Sequence, residues 1–333
     1  MNKELHKIVI IRLSALGDIV NTAVVLQFIK ERYPDIKIDW VTEEVFAPLL
    51  QNHPLINKVH TLNLKKLKKE KSFSLLKQNV KELLSLGEYD VILDIQGLLK
   101  SAIVARLIGA NTHGYDKTSA RESIASLLYK TTSHIAYEES IVKRNCFVAC
   151  DGLNFKINDT MILNKKPIFE LPPITLRQTE NRNIALVIGA SWESKKYPKE
   201  KQVELSESLQ ENIVLIWGTQ DELKEAEWIS SRSKYAVVAP KLSLSELVAF
   251  ISSFDLLIGN DTGPTHMAWA QNIPSITLFG PTTNRMIYET PINRSIKSPS
   301  TVNIQKIDKQ DFSIKEIAVS KIVTMAKELL YGI

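Results

Sequence analysis

The densest group of chemically capable side chains is Asp261, Thr262, Gly263 and His266, in the run Asn260-Asp261-Thr262-Gly263-Pro264-Thr265-His266. The run follows an apolar strand expected over 256–259 and opens a helix expected over 264–271. Thr262 or Gly263 would cap that helix, with Pro264 at the first helical position, where its missing N–H costs no hydrogen bond. Free backbone N–H groups at a helix start attract anions, and Gly263 lets a diphosphate approach closely. His266, about one turn in, is either part of that site or a satisfied core histidine.

Other strand-end loops could contribute. Ser14, Gly17 and Asp18 follow the first strand, and Asp18 is either a general base or a helix N-cap. Ser191 and Lys195 lie in Ala190-Ser191-Trp192-Glu193-Ser194-Lys195-Lys196-Tyr197-Pro198, where a lysine suits a phosphate and the bland alternative is a solvated loop. Asp221 and Glu222 could accept hydrogen bonds from ribose hydroxyls or simply favour the first turn of a helix. Phe279-Gly280-Pro281-Thr282 makes another strand-end turn. Lys65, Lys66, Lys68, Lys69 and Lys71 form a basic run, either a solvated face or an electrostatic dock for a phosphorylated lipid. No aromatic interleaving or nucleic-acid motif accompanies it, so no nucleic-acid partner is expected. No G-x-G-x-x-G follows the first strand, which argues against an ordinary NAD or FAD site.

The elements that must position these loops alternate. Strands are expected over 7–13, 36–42, 58–62 and 90–96, and helices over 18–33, 42–50, 72–86 and 98–108. The proline-marked region 154–183 breaks the rhythm, and strands resume over 184–189, 213–217, 236–239, 256–259 and 275–279. Helices over 199–209, 221–231, 243–252 and 264–271 separate them, and another closes the chain over 314–331. Such alternation predicts parallel, doubly wound sheets, whose ligands bind beyond the carboxyl ends of the strands.

Bulk properties agree. With 333 residues the chain has room for about two domains at roughly 150 residues each. Hydrophobic residues make up 44% and charged residues 24%, which excludes a wholly disordered chain. No apolar run approaches the roughly 18–20 residues that span a bilayer, and no secretory pattern opens the sequence. Cys146 and Cys150, alone and four apart, make neither a disulfide framework nor a metal site, which favours a reducing cytoplasm. The net charge of +5 suits contact with an anionic surface.

Taken in order and spacing, Ser14-Ala15-Leu16-Gly17-Asp18, Lys195-Lys196-Tyr197-Pro198, the 260–266 run and Phe279-Gly280-Pro281-Thr282 resemble the ADP-heptose lipopolysaccharide heptosyltransferases of glycosyltransferase family nine. The resemblance covers essentially the whole chain. It implies an α/β protein of GT-B fold, two doubly wound parallel-sheet (Rossmann-like) domains facing an inter-domain cleft. Residues 1–165 would form the acceptor-binding domain, 166–183 a linker, 184–312 the ADP-heptose-binding domain, and 313–333 a helix crossing back to the first domain. Ser119-Ala120-Arg121-Glu122-Ser123 and Val142-Lys143-Arg144 resemble the acceptor-binding arginine segments of the members that add the first heptose.

The resemblance therefore implies inverting transfer of heptose from ADP-L-glycero-D-manno-heptose to the Kdo of Kdo-lipid A. Position by position, Asp18 matches the base, Lys195 the lysine on the donor phosphates, and Glu222 the ribose contact. Asp261, Thr262, Gly263 and His266 match the donor signature. Ser191 stands where a threonine pair is common, and Leu242 where an adenine contact is expected. Lys65, Lys66, Lys68, Lys69, Arg121 and Arg144 would meet the acceptor. Pro264 and Thr265 replace the commoner Leu-Ser or Leu-Met. No Asp-x-Asp pair lies near the phosphate loops, so no metal or other cofactor is expected beyond the donor. A monomer on the cytoplasmic face of the inner membrane, held electrostatically, is expected. The alternatives are transfer of a second or later core heptose, a nucleotide-sugar epimerase of the same fold, or a non-catalytic nucleotide- or lipid-binding module.

Overall fold

The run KIVII at Lys7–Ile11, β-branched at four of its five positions, forms strand β1, a buried strand of a six-stranded sheet. This computed structural model describes residues 4–170, 174 and 180–332. The chain divides into two units, Met1–Glu170 and Leu171–Ile333. Residues 171–173 and 175–179 of the expected linker lie outside the described residues. Its first part belongs to the first unit, where Ile168 and Phe169 are buried and the Ile168 carbonyl lies 2.8 Å from His53 Nε2.

The first sheet continues with β2 (Lys37–Glu43), β3 (Lys58–Leu62), β4 (Val91–Asp94), β5 (Thr112–Tyr115) and β6 (Thr131–Ser133), in the order β3-β2-β1-β4-β5-β6. Every pairing is parallel, with Ile8 opposite Ile38 on one side and Val91 on the other. Val9, Ile11, Val41 and Ile92 pack under Leu83, Val104 and Ile108 from helices Phe73–Leu84 and Leu99–Ile108. The helix expected over 18–33 comprises two segments, Leu16–Ala23 and Val25–Arg32. Thr22 Oγ1 donates to the Asp18 carbonyl at 2.7 Å near that break, a back-bond that commonly bends helices.

The second sheet contains β7 (Asn183–Val187), β8 (Asn212–Ile216), β9 (Ala236–Val238), β10 (Leu256–Asn260), β11 (Ser275–Phe279) and β12 (Asn293–Lys297). Its order, β12-β11-β10-β7-β8-β9, repeats the topology of the first, again all parallel. Chain order reverses between β1 and β4 in one sheet and between β7 and β10 in the other. The crevice beyond such a reversal is where open parallel sheets bind ligands.

In the terminal helix, Val319–Tyr331, the residues Val319, Ile322 and Ala326 are buried in the second unit's core with Leu205, Leu209, Leu256 and Ile276. Among the described residues no helix is long and apolar enough to cross a membrane.

Candidate active site

Strands β7 and β10 are neighbours, so the loops that leave their carboxyl ends meet. Asn260 fastens them. Its amide nitrogen donates to the carbonyls of Ile188 (3.2 Å) and Gly189 (3.1 Å), and its amide oxygen accepts the Tyr197 N–H at 3.0 Å. Loop 189–197 thereby carries Lys195 to Asp261, where the ammonium donates to Oδ2 at 2.7 Å. The same oxygen accepts from Thr282 Oγ1 at 2.9 Å, and His266 Nε2 lies 3.4 Å from Oδ1. Lys195, Asp261 and His266 are all buried. Burial opposes ionisation of Asp261, but the Lys195 ammonium and His266 outweigh it and hold the carboxyl well below the usual carboxylate range. The helix beyond spans Gly263–Ala270, with Thr262 as N-cap and Pro264 second rather than first. Thr265 Oγ1 accepts the Thr262 N–H at 3.2 Å and donates to the Asn260 carbonyl at 2.9 Å.

Sequence reasoning placed Lys195, Asp261, Thr262, Gly263 and His266 in one site, and the structure brings them together. It did not single out Asn260 or Thr282. Asn260 was detectable as an amide ending the apolar strand Leu256–Asn260. One proton of the Lys195 ammonium goes to Asp261, leaving two for another acceptor. Lys195 Nζ also lies 4.9 Å from the Trp192 ring centroid, with Lys309 Nζ 5.1 Å from the same ring.

The remaining donor candidates sit on the same sheet edge. Glu222, in the helix Gln220–Ser230 after β8, turns back to its own helix start: Oε2 accepts the N–H groups of Gly218 (2.7 Å) and Thr219 (2.9 Å). With Thr219 Oγ1 accepting the Glu222 N–H at 3.3 Å, this completes a capping box. Glu222 thus fills the first-turn role through Oε2. A Cβ on Gly189 would come within 2.2 Å of Glu222 Oε1, so a side chain there would displace the Glu222 carboxylate. Ser191 is exposed in the bend after β7, and Leu242 is half-buried just before the cap Ser243 of helix Leu244–Ile251.

In the first unit Asp18 is the third residue of its helix, with Ala15 as N-cap, so Asp18 is not itself the cap. Its Oδ2 accepts the Ala15 N–H at 3.2 Å, and its Oδ1 lies 2.7 Å from Nη2 of Arg12. Arg12 is buried at the end of the β1 run and donates through Nη1 to the Ile95 carbonyl. The Asp18 side chain keeps 25% of its surface exposed, whereas Arg12 keeps 5%. Lys100 Nζ donates to Ser14 Oγ at 3.4 Å on the same edge.

The acceptor candidates separate. Lys65, Lys66, Lys68 and Lys69 are all exposed on helix Leu64–Glu70 after β3, and Arg121 is exposed after β5. Arg144 is buried, which corrects its expected acceptor role. Its guanidinium donates to the carbonyls of Ser119 (2.6 Å), Ala136 (2.7 Å) and Ile135 (3.1 Å), with the Tyr115 and Tyr137 rings 4.8 Å and 4.9 Å away. Arg144 therefore ties together the two stretches around 119 and 135. Among the described residues no group of three or more His, Cys, Asp and Glu side chains could hold a metal ion.

Two Rossmann-type sheets in tandem, each with polar side chains gathered at its reversal, define a glycosyltransferase of GT-B fold. Residues 78–316 match glycosyltransferase family 9 (heptosyltransferase), and the chain belongs to that family. It is similar to lipopolysaccharide heptosyltransferase 1 of Campylobacter coli, 40% identical over 345 aligned positions covering 97% of this chain and 98% of that one. Lipopolysaccharide heptosyltransferase 1 of Escherichia coli K12 is 29% identical, with 90% and 99% covered. Among solved structures it resembles E. coli heptosyltransferase WaaC with ADP, at a TM-score of 0.82 and 25% identity over 97% of this chain and 99% of that one. The same enzyme with ADP-2-deoxy-2-fluoro heptose gives a TM-score of 0.79, again at 25% identity and with the same coverage.

Proposed function

We propose that this chain transfers L-glycero-D-manno-heptose from ADP-heptose to the Kdo of Kdo-lipid A, with inversion, in lipopolysaccharide inner-core synthesis. The observation that carries the reading is the Lys195–Asp261–His266 cluster at the β7/β10 reversal, in a chain 40% identical to a lipopolysaccharide heptosyltransferase 1 over nearly its full length.

The donor diphosphate lies at the start of helix Gly263–Ala270, where Lys195 offers its two remaining protons. An acceptor hydroxyl oxygen attacks the anomeric carbon as the bond from that carbon to the phosphate oxygen breaks. ADP leaves with the bonding pair. Negative charge grows on the departing oxygen, so donors aimed there stabilise the transition state more than the ground state. Asp18, oriented by Arg12, takes the hydroxyl proton. Ser191, Glu222 and Leu242 line the nucleoside end. Lys65, Lys66, Lys68, Lys69 and Arg121 receive the phosphorylated acceptor. The enzyme works as a monomer on the cytoplasmic face of the inner membrane.

ADP release from ADP-heptose, measured with and without Kdo-lipid A, tests the reading. Release that depends on Kdo-lipid A is expected. Release only with an already heptosylated acceptor would reassign the chain to a later heptose, and loss of donor without any acceptor would mark an epimerase or hydrolase.

A further inference from the structure

Helix Phe73–Leu84 has a second apolar face that its packing does not use. Ser72 caps its start by accepting the Leu75 N–H at 3.3 Å, and Asn79 and Leu83 are buried against the first unit. At 3.6 residues per turn, Phe73, Leu76, Val80 and Leu84 fall in an arc about 80° wide, beside that buried face. Phe73 is 79% exposed, Leu84 63% and Leu76 42%, while Val80 is half-buried. Lys77 and Lys81, both exposed, border the stripe on the side away from the core, and Ser74, Gln78 and Glu82 complete the polar face. Directly before it, helix Leu64–Glu70 presents its four exposed lysines, with Lys71 exposed at its C-cap.

We infer that helix Phe73–Leu84 is an interfacial anchor that seats the first unit on an anionic phospholipid bilayer. A stripe of large apolar side chains edged by lysines and backed by a polar face suits a helix lying in the headgroup plane. The apolar residues enter the acyl boundary, and the lysine stems reach along the interface while their ammonium groups meet phosphate. Charge decides the partner. Seven lysines at 65, 66, 68, 69, 71, 77 and 81 against two acids at 70 and 82 complement an anionic surface and repel a second copy of the same patch. Each lysine near such a surface strengthens binding roughly fivefold, and the apolar stripe adds attraction that salt does not screen. The sequence offered only the lysines. The exposed stripe became visible once packing showed which face of the helix is buried.

This inference deepens the proposed function by naming how the enzyme meets a membrane-borne acceptor, yet its first test needs neither donor nor acceptor. The full chain is floated with vesicles of phosphatidylcholine alone or with 30–40%, an order-of-magnitude choice, of phosphatidylglycerol. Binding to the anionic vesicles and little to the neutral ones is expected. Phe73→Ser with Leu84→Ser should weaken anionic-vesicle binding about tenfold or more, from lost apolar burial. Lys77→Gln with Lys81→Gln should weaken it and flatten its salt dependence. ADP release with a water-soluble Kdo acceptor should be the same in the Phe73/Leu84 variant as in the parent chain, which also shows that it folds. Equal flotation of parent and Phe73/Leu84 variant, equal binding to neutral vesicles, or a concentration-dependent dimer abolished by Phe73→Ser would each overturn the anchor. Vesicle binding without heptosyl transfer would retain the anchor and remove the proposed reaction.

Discussion

The two units share a strand order but treat an equivalent carboxylate in opposite ways. Asp94 ends β4, and Asp261 follows the last residue of β10, so each stands at the reversal of its sheet. Asp94 is buried with neutral partners: Tyr129 Oη donates to Oδ2 at 2.7 Å, and the Gln96 and Gly97 N–H groups donate to Oδ1 at 2.9 and 3.3 Å. Burial dominates those bonds and pushes its carboxyl above the usual range. Asp261 is buried as deeply, but a lysine and a histidine hold it in the charged form. One reversal holds a carboxyl among neutral partners, beside the partly exposed Asp18. The other is a compensated charge cluster. A shared topology fixes where a site stands, and the cations brought to it fix what it binds.

The largest expected effect lies on the first unit's side of this contrast. Asp18→Asn should cut turnover by roughly 10²–10⁴, the scale of a lost general base. Steady-state ADP release checks it, and turnover close to that of the parent chain would reduce Asp18 to a partner of Arg12 and the Ala15 amide.

Next comes the cluster. Lys195→Met leaves Asp261 buried without its closest cation, which typically costs about 3–5 kcal/mol. Adding Asp261→Asn should recover much of that loss, so the two changes are expected to be strongly non-additive in denaturant unfolding. Additive losses would show that the pair is not coupled.

The pH responses should have opposite signs. Asp261, depressed in the folded state, contributes stability that is present above its unfolded value of 3.8 and is lost as pH falls below it. Asp94, raised in the folded state, contributes most below its unfolded value of 3.8 and progressively less as pH rises through its folded value. Hydrogen exchange resolved by peptide should therefore show protection around β10 falling in acid before that around β4. The smallest effect is Asp94→Asn, which should change stability by under about 1 kcal/mol near neutral pH, because a carboxyl already biased toward neutrality is replaced by a neutral amide. A loss as large as that of Lys195→Met would contradict the contrast.

Much of the architecture was legible because buried parallel strands are short runs rich in apolar and β-branched residues, as KIVII at β1 and SITLF at β11 are. Strands β5 (THGY), β6 (TTS) and β12 (NRSIK) escaped notice because they are short and polar. In β5 and β6 the side chains satisfy one another; His113, for example, lies 2.8 Å from both Thr131 Oγ1 and Ser133 Oγ. The 261–266 group was readable because it is local. The pairing of Lys195 with Asp261 spans 66 residues and depends on β7 lying beside β10, so strand order had to be known first. Arg144 misled for a related reason. Its hydrogen bonds to Ser119, Ile135 and Ala136 go to backbone carbonyls, which carry no residue-type signal.

Calorimetric titration of ADP into the parent chain, Asp18→Asn and Lys195→Met tests most directly whether nucleotide diphosphate is bound by the second unit's charge cluster while proton transfer belongs to the first. Unchanged affinity for Asp18→Asn together with a clear loss for Lys195→Met is the expected result. Undiminished ADP binding by a folded Lys195→Met chain would contradict it.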